Sequence, residues 1–295
     1  MLLRLNLLLL ATLAWTACEN SSGNADIGNG MEDAPVASGD TLAGDDLGAD
    51  QGGGADHSNG DGTSGRLPDM TGIWAQWEVG ASITQVPVLG EVHTQGVAIM
   101  RWVVTQNGGT LAIQQELCTL LLISDSELAA TIVPDAFIAS VPLMDKTGSV
   151  EALGASFRFT MDLTPELFGV DLVDPLNDLL PTTADDPRVI DQDGDGHPGM
   201  TVFITGMMDG AAYVVQRNLR TLDGTFVSDD RIEGLVDWNQ EQNVIDSDNE
   251  ILAANPPSSI TDPDPEKSPF VAVRIPEDWD CASLLARQDE LFPQL

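Results

Sequence analysis

An all-β fold, an antiparallel barrel or curved sandwich with a C-terminal helix, is predicted for residues 67–295. Three features carry the prediction: short apolar runs that alternate with polar residues, turn-forming residues between the runs, and one clear helical period near the C-terminus. The first run is 73–79. The next two, 97–105 and 111–117, flank Gln106-Asn107-Gly108-Gly109, residue types that suit a tight hairpin. Phe157-Arg158-Phe159-Thr160-Met161-Asp162 places Phe157, Phe159 and Met161 on one face and polar side chains on the other, as in a strand with one buried and one wet face. A short helix is expected at Asp174-Pro175-Leu176. Strands follow at 201–205, 212–217, 234–238 and 270–275, with a turn at Asp223-Gly224 and a Pro-rich loop, 255–268, over the rim. From 277 to 292 the period becomes helical. Cys281, Leu284, Leu285, Gln288 and Phe292 share one stripe, and Glu277, Asp278 and Asp280 suit the positive end of the helix dipole.

Residues 1–17 have a different character. Arg4 is followed by a mostly apolar run, 5–14, and by small residues before Cys18, the pattern of an export signal too short to be a stable membrane span. The segment resembles a bacterial lipoprotein signal: Thr16, Ala17 and Cys18 fit, while Trp15 stands where leucine is usual. That resemblance implies an acyl anchor on Cys18, membrane attachment through it, and a place in the bacterial cell envelope, facing the periplasm or the cell surface. Ordinary signal-peptidase cleavage after Ala14 is the alternative. Residues 18–66 are rich in Gly, Ser, Asn, Asp and Ala, and from Glu19 to Gly65 they carry no Phe, Trp, Tyr, Lys or Arg. Such a segment has little to offset the entropy of ordering and reads as a disordered tether with an r.m.s. span of about 40 Å. His57 is a linker residue within it.

Charge and cysteines narrow the partners. With 12 Lys+Arg against 47 Asp+Glu, the formal charge is -35, which repels nucleic-acid backbones and suits cation-rich surroundings. Nucleic acid is therefore not expected as a partner. The only cysteines are Cys18, Cys118 and Cys281. If Cys18 carries lipid, Cys118 and Cys281 remain to form a disulfide in an oxidising compartment, closing a loop of about 160 residues and stabilising by roughly 3 to 5 kcal/mol. Two buried thiols are the alternative.

The sharpest site is Asp191-Gln192-Asp193-Gly194-Asp195-Gly196-His197-Pro198-Gly199. Carboxylates at positions one, three and five on a turning backbone converge oxygen ligands on one point, as a hard cation such as Ca²⁺ requires. Asp191, Asp193, Asp195 and the backbone carbonyl of His197 are the candidate ligands. The stretch resembles the calcium loops of EF-hands and, more closely, those of FG-GAP repeats that lead into a strand. It departs from both: Val202 stands where an EF-hand has glutamate, and Gly199 where an FG-GAP loop has aspartate. Asp185 and Asp186, or Asp246, Asp248 and Glu250, are candidates to complete the shell. The expected role is a structural Ca²⁺ of about 10⁻⁴ to 10⁻³ M affinity, and the alternative is a solvated Asp-Gly turn.

Gly72-Ile73-Trp74 at the first strand, Arg274 on the last and a helix after it resemble features of lipocalins, which implies a closed barrel. The domain as a whole looks like uncharacterised secreted lipoproteins of myxobacteria and their relatives, a resemblance carried by the 191–199 loop, by 86–91 and by Tyr213-Val214-Val215-Gln216-Arg217. It implies an envelope location and supplies no activity. Catalytic motifs are scarce: no Gly-x-Ser-x-Gly elbow, His-Glu-x-x-His helix or phosphate loop occurs, and His93 reads as a strand-surface residue beside Arg101 and Trp102. No catalytic residues are assigned. The sequence thus favours a non-catalytic envelope lipoprotein, calcium-stabilised, that binds a protein partner or a surface glycan. A lipocalin-like carrier of a small apolar ligand, its interior lined by tryptophan and phenylalanine, is the first alternative. A carboxylate-dependent hydrolase with two close acids in a cleft is the second.

Overall fold

The computed structural model describes residues 66–86, 90–126, 128–206, 209–254 and 258–293. The expected signal peptide, Cys18 and the tether up to Gly65 lie outside the described residues. Strands β1 (Gly72–Val86), β2 (Gly90–Asn107) and β3 (Thr110–Ser124) are followed by a short β4 (Ala129–Ile132) and helix α1 (Asp135–Ser140). Then come β5 (Met144–Leu153), β6 (Ser156–Phe168), β7 (Met200–Gly206), β8 (Gly210–Ser228) and β9 (Arg231–Ser247). Helix α2 (Glu250–Ala254), β10 (Ser258–Thr261), β11 (Pro269–Ile275), α3 (Cys281–Leu285) and α4 (Gln288–Leu291) complete the order.

Eight strands, β1, β2, β3, β5, β6, β8, β9 and β11, each pair antiparallel with the next, and β11 closes on β1. The all-β expectation thus resolves to an up-and-down barrel, a closure that removes sheet edges from these eight strands. β7 pairs with the outer stretch of β8 and carries β4, and β10 pairs with the end of β1. The two ends of the barrel differ. At one end β2–β3, β5–β6 and β8–β9 join by tight hairpins, with Gly108 (φ 62°) and Gly154 (φ 61°) in the left-handed conformation that such turns favour. At the other end lie the long connections that contain β4, α1, β7 and β10.

The hairpin end is filled. Trp74, Trp102, Phe159, Phe270, Leu111 and Leu222 are almost fully buried there, and the Trp102 and Phe159 rings stack with centroids 5.8 Å apart. Met70, just before β1, is buried in the same cluster, and its carbonyl accepts the Trp74 indole N–H at 2.8 Å, so the buried indole keeps a partner. The three residues of the lipocalin-like pattern meet here. The Arg274 guanidinium lies 4.6 Å from the centre of the Trp74 ring and donates to the Thr71 carbonyl at 2.8 Å. Gly72 (φ 129°) leaves room for it, since a Cβ there would stand 3.0 Å from Arg274 Nη1.

The C-terminal segment covers the outside of β1 and β2, where Ile73, Ala75, Trp77 and Ile99 pack with Leu284 and Phe292. Cys118 and Cys281 form a disulfide, Cα–Cα 5.2 Å. A bulge makes this possible: Ile99 pairs with Thr119 and Met100 with Leu117, so Cys118 is the extra residue on β3.

Several expectations are corrected. The helix expected over 277–292 is two short helices, α3 and α4, because the chain first turns at Trp279 (N–H to Pro276 O, 3.2 Å) and Asp280 then caps α3 through the Ser283 N–H at 2.8 Å. Gln288, assigned to the packed stripe, is exposed. Asp174-Pro175-Leu176 is a turn built on the Asp174 carboxylate, not a helix. Asp223-Gly224 is no turn but mid-strand in β8: Gly224 faces Gly234, and the Phe270 ring occupies the space their side chains would need, 2.7 Å from a Cβ on either. β4, β5 and β10 were not anticipated, and β8 and β9 run far beyond 212–217 and 234–238.

Candidate functional site

Beyond the aromatic core the barrel is not filled. Along β1 the inward residues pass from Trp74 and Gln76 through Glu78 to Gly80 and Ser82, and along β2 from Met100 to Ala98 and Gly96. Small side chains on two adjacent strands leave a cavity of about 230 Å³ towards the end with the long connections. An eight-stranded barrel is wide enough either to be filled by side chains or to enclose a cavity, and this one is filled in one half and open in the other. Trp74, Trp102, Phe159 and Phe270 therefore fill the closed half, whereas Trp238, Phe137 and Phe168 line the open one. Phe137 comes from α1, which folds across between β3 and β5, and meets Phe168 edge-on at 5.5 Å.

The floor between the halves is charged. Arg220 on β8 forms ion pairs with Glu78 and Glu166, and Lys146 on β5 donates to Glu166 Oε1 at 2.7 Å. Gln76 Nε2 donates to the other Glu78 oxygen at 2.6 Å. Burial works against the Arg220 charge, but the Glu166 and Glu78 carboxylates outweigh it and hold its pKa above the ordinary value. Burial likewise pushes Glu166 up, and Arg220 and Lys146 overcome it to hold the carboxyl below the usual range. Lys146 goes the other way, lowered chiefly by burial against the pull of Glu166.

The walls differ in chemistry. β2 and β3 contribute Ala98, Met100, Leu117, Leu120 and Leu122, an apolar surface with Thr94 beyond it on β2. β8 and β9 contribute Gln216, Asn218, Gln240 and Gln242, with Trp238 on the floor side of them and the apolar Val214 and Val244 on the other. The amides are paired along each strand: Gln216 Nε2 donates to Asn218 Oδ1 at 2.7 Å and Gln240 Nε2 to Gln242 Oε1 at 2.9 Å. The Trp238 ring lies against Gly80, 3.2 Å from where a Cβ would stand, and its indole N–H donates to Ser268 Oγ at 3.3 Å.

The aspartate loop forms in the β6–β8 connection and leads directly into β7. Asp191, Asp193 and Asp195 each offer a carboxylate oxygen, all within 4.8 Å of one another. Asp191 accepts the Gly194 and Gly196 N–H groups at 2.8 and 3.0 Å, and Asp195 accepts the His197 N–H at 2.8 Å and the Thr201 hydroxyl at 2.6 Å. Asp193 Oδ2 accepts the Thr201 N–H at 3.0 Å, while its Oδ1 is buried with no partner. The His197 ring stacks on Tyr213, centroids 4.3 Å apart, with its Nε2 3.4 Å from the Tyr213 hydroxyl. Gly199 stands where an FG-GAP loop has aspartate, and a Cβ there would sit 2.5 Å from the Val214 carbonyl. Val202 is buried in the cluster beneath β7. Among the described residues only Asp191, Asp193 and Asp195 cluster, without the candidate supplements: Asp186 is clamped by Arg188, which holds its pKa down to about 2, and Asp248 accepts the Ala211 N–H at 2.7 Å.

His93 is on the surface, 3.5 Å from Glu91 and 3.7 Å from Asp262. Arg101 points outward to the Trp279 carbonyl at 2.7 Å, away from the cavity. No family model, curated protein or solved structure matches this chain.

Proposed function

We propose that the chain is a non-catalytic binding protein of the bacterial envelope, acylated at Cys18 and tethered through residue 66, whose barrel holds one small amphiphilic ligand in its open half. The observation that carries this reading is the cavity itself, left by the small inward residues Ser82, Gly96 and Ala98, while Gly80 gives room to the Trp238 ring. Nothing about stability calls for it, since an unfilled core forfeits packing. A domain that met a protein or glycan only through its outer surface would have no use for such an interior. Hydrolysis by paired carboxylates is disfavoured because Glu78 and Glu166, the two acids on the floor, are bridged by Arg220, and Glu166 is held ionised.

The uncharged fluorophore N-phenyl-1-naphthylamine tests the reading, using the exported chain with Cys18→Ser to keep it free of lipid. Emission should rise with one saturable site per chain, and Leu120→Trp, which fills the cavity, should abolish the rise. A rise unchanged in Leu120→Trp would contradict it.

A second site is also part of the proposal: Asp191, Asp193, Asp195 and the His197 carbonyl hold a structural Ca²⁺ that fixes the loop ahead of β7. The buried, partnerless Asp193 Oδ1 supports it, because such an oxygen is costly without a cation or donor.

A further inference from the structure

The two walls of the cavity are set opposite each other by the topology. In the ring β8-β6-β5-β3-β2-β1-β11-β9, the β2–β3 pair stands directly across from the β8–β9 pair. One wall is hydrocarbon up to Thr94; the other carries a ladder of carboxamides between an indole and the apolar Val214 and Val244. The carboxamides use one donor and one acceptor within each pair, which leaves Gln216 Oε1, Asn218 Nδ2, Gln240 Oε1 and Gln242 Nε2 without a partner among the described residues. The ladder thus presents both acceptors and donors, the complement of hydroxyl groups, each of which donates and accepts.

Charge selects further. The floor holds two carboxylates, Glu78 and Glu166, and two cations, Arg220 and Lys146, already joined by ion pairs. Among the described residues that line the cavity no unmatched charge is left to meet an ionic headgroup. An anion or cation brought into this space would lose its water without gaining a counter-ion.

We infer that the ligand is an uncharged amphiphile: an apolar chain along β2 and β3, and a hydroxyl-rich head, sugar or polyol, along Gln216, Asn218, Gln240 and Gln242. This rests on the cavity reading above and specifies its ligand. A fatty acid, the simplest amphiphile, is excluded by its carboxylate.

The test compares octyl glucoside, octanoate and octylammonium, each below its critical micelle concentration, as competitors of N-phenyl-1-naphthylamine. Octyl glucoside should displace the fluorophore about tenfold more effectively than either ion, or better. Gln240→Leu and Asn218→Leu, near-isosteric changes that leave the hydrocarbon wall intact, should remove most of that advantage while the fluorophore still binds. Equal or stronger displacement by octanoate or octylammonium would overturn the assignment of the head, as would an unchanged glucoside affinity in both variants. Those results would leave the cavity reading standing. Failure of the fluorophore itself to bind would overturn both. Should either variant fail to fold, the comparison among the three competitors on the unaltered cavity still decides.

Discussion

Glu166 concentrates the chemistry of the floor, because among the described residues it is the one carboxylate that meets both Arg220 and Lys146. Removing one member of a buried charge group strands the others, so Glu166→Gln should destabilise the barrel by roughly 3 to 5 kcal/mol in urea unfolding at neutral pH. Its titration gives the sign of the acid response. The folded carboxyl lies below its ordinary value of 4.5, so its stabilising contribution is complete above that pH and is lost as pH falls through the lower folded value. Unfolding midpoints measured from pH 5 downward should therefore fall less steeply in Glu166→Gln than in the unaltered chain. Equal slopes would remove Glu166 from the acid response. None of this was legible beforehand. Glu78, Glu166 and Arg220 are inward residues in a barrel, yet hydrophobic alternation marks a position as inward only when it is apolar. The same failure ended the expected strand at Arg217: beyond it Asn218 and Arg220 face in, polar like their outward neighbour Arg217, and no contrast remains.

At the scale of elements, contrast with solvent decided what could be read. β3 and β6 alternate between the filled core and a wetter outer face, β1, β2 and β11 are apolar outside as well because the C-terminal segment covers them, and the centres of all five are recognised from sequence. β5 was missed because Lys146 and Gly148 occupy inward positions where apolar residues would have signalled it. Glycine misled in one place and informed in another: the hairpin at Gly108 is a true turn, whereas Gly224 is glycine because Phe270 occupies its side-chain space. The disulfide was legible by elimination, but the bulge that aims Cys118 outward was not. The aspartate loop was legible as spacing, and the structure adds why Gly199 breaks the pattern. With a weak site of about 10⁻⁴ to 10⁻³ M, millimolar CaCl₂ should raise the melting temperature by several degrees over EDTA. Asp193→Ala and Asp195→Ala should each abolish the rise. A shift no larger than that given by matched MgCl₂ would reduce the loop to an acidic turn held by its own N–H groups.

At the scale of the whole molecule, the barrel divides its labour along its axis. The hairpin end, with Trp74, Trp102, Phe159 and Phe270, supplies the packed core and the Arg274–Trp74 contact that fastens the last strand to the first. The far end gives up packing to hold a cavity with two unlike walls. Sequence patterning located the first half well, because aromatic burial is what periodicity reports. It passed over the second, where the cavity is lined in part by small and polar inward residues that periodicity reads as surface. Hydrogen exchange with and without bound N-phenyl-1-naphthylamine tests the central claim most directly. Ligand in the open half should slow exchange in residues 94–100, 117–122 and 212–220, which line the cavity, and leave the outer C-terminal segment, 281–292, unchanged. Protection confined to 281–292 and the outer face of β1 would place the ligand on the exterior and contradict the account.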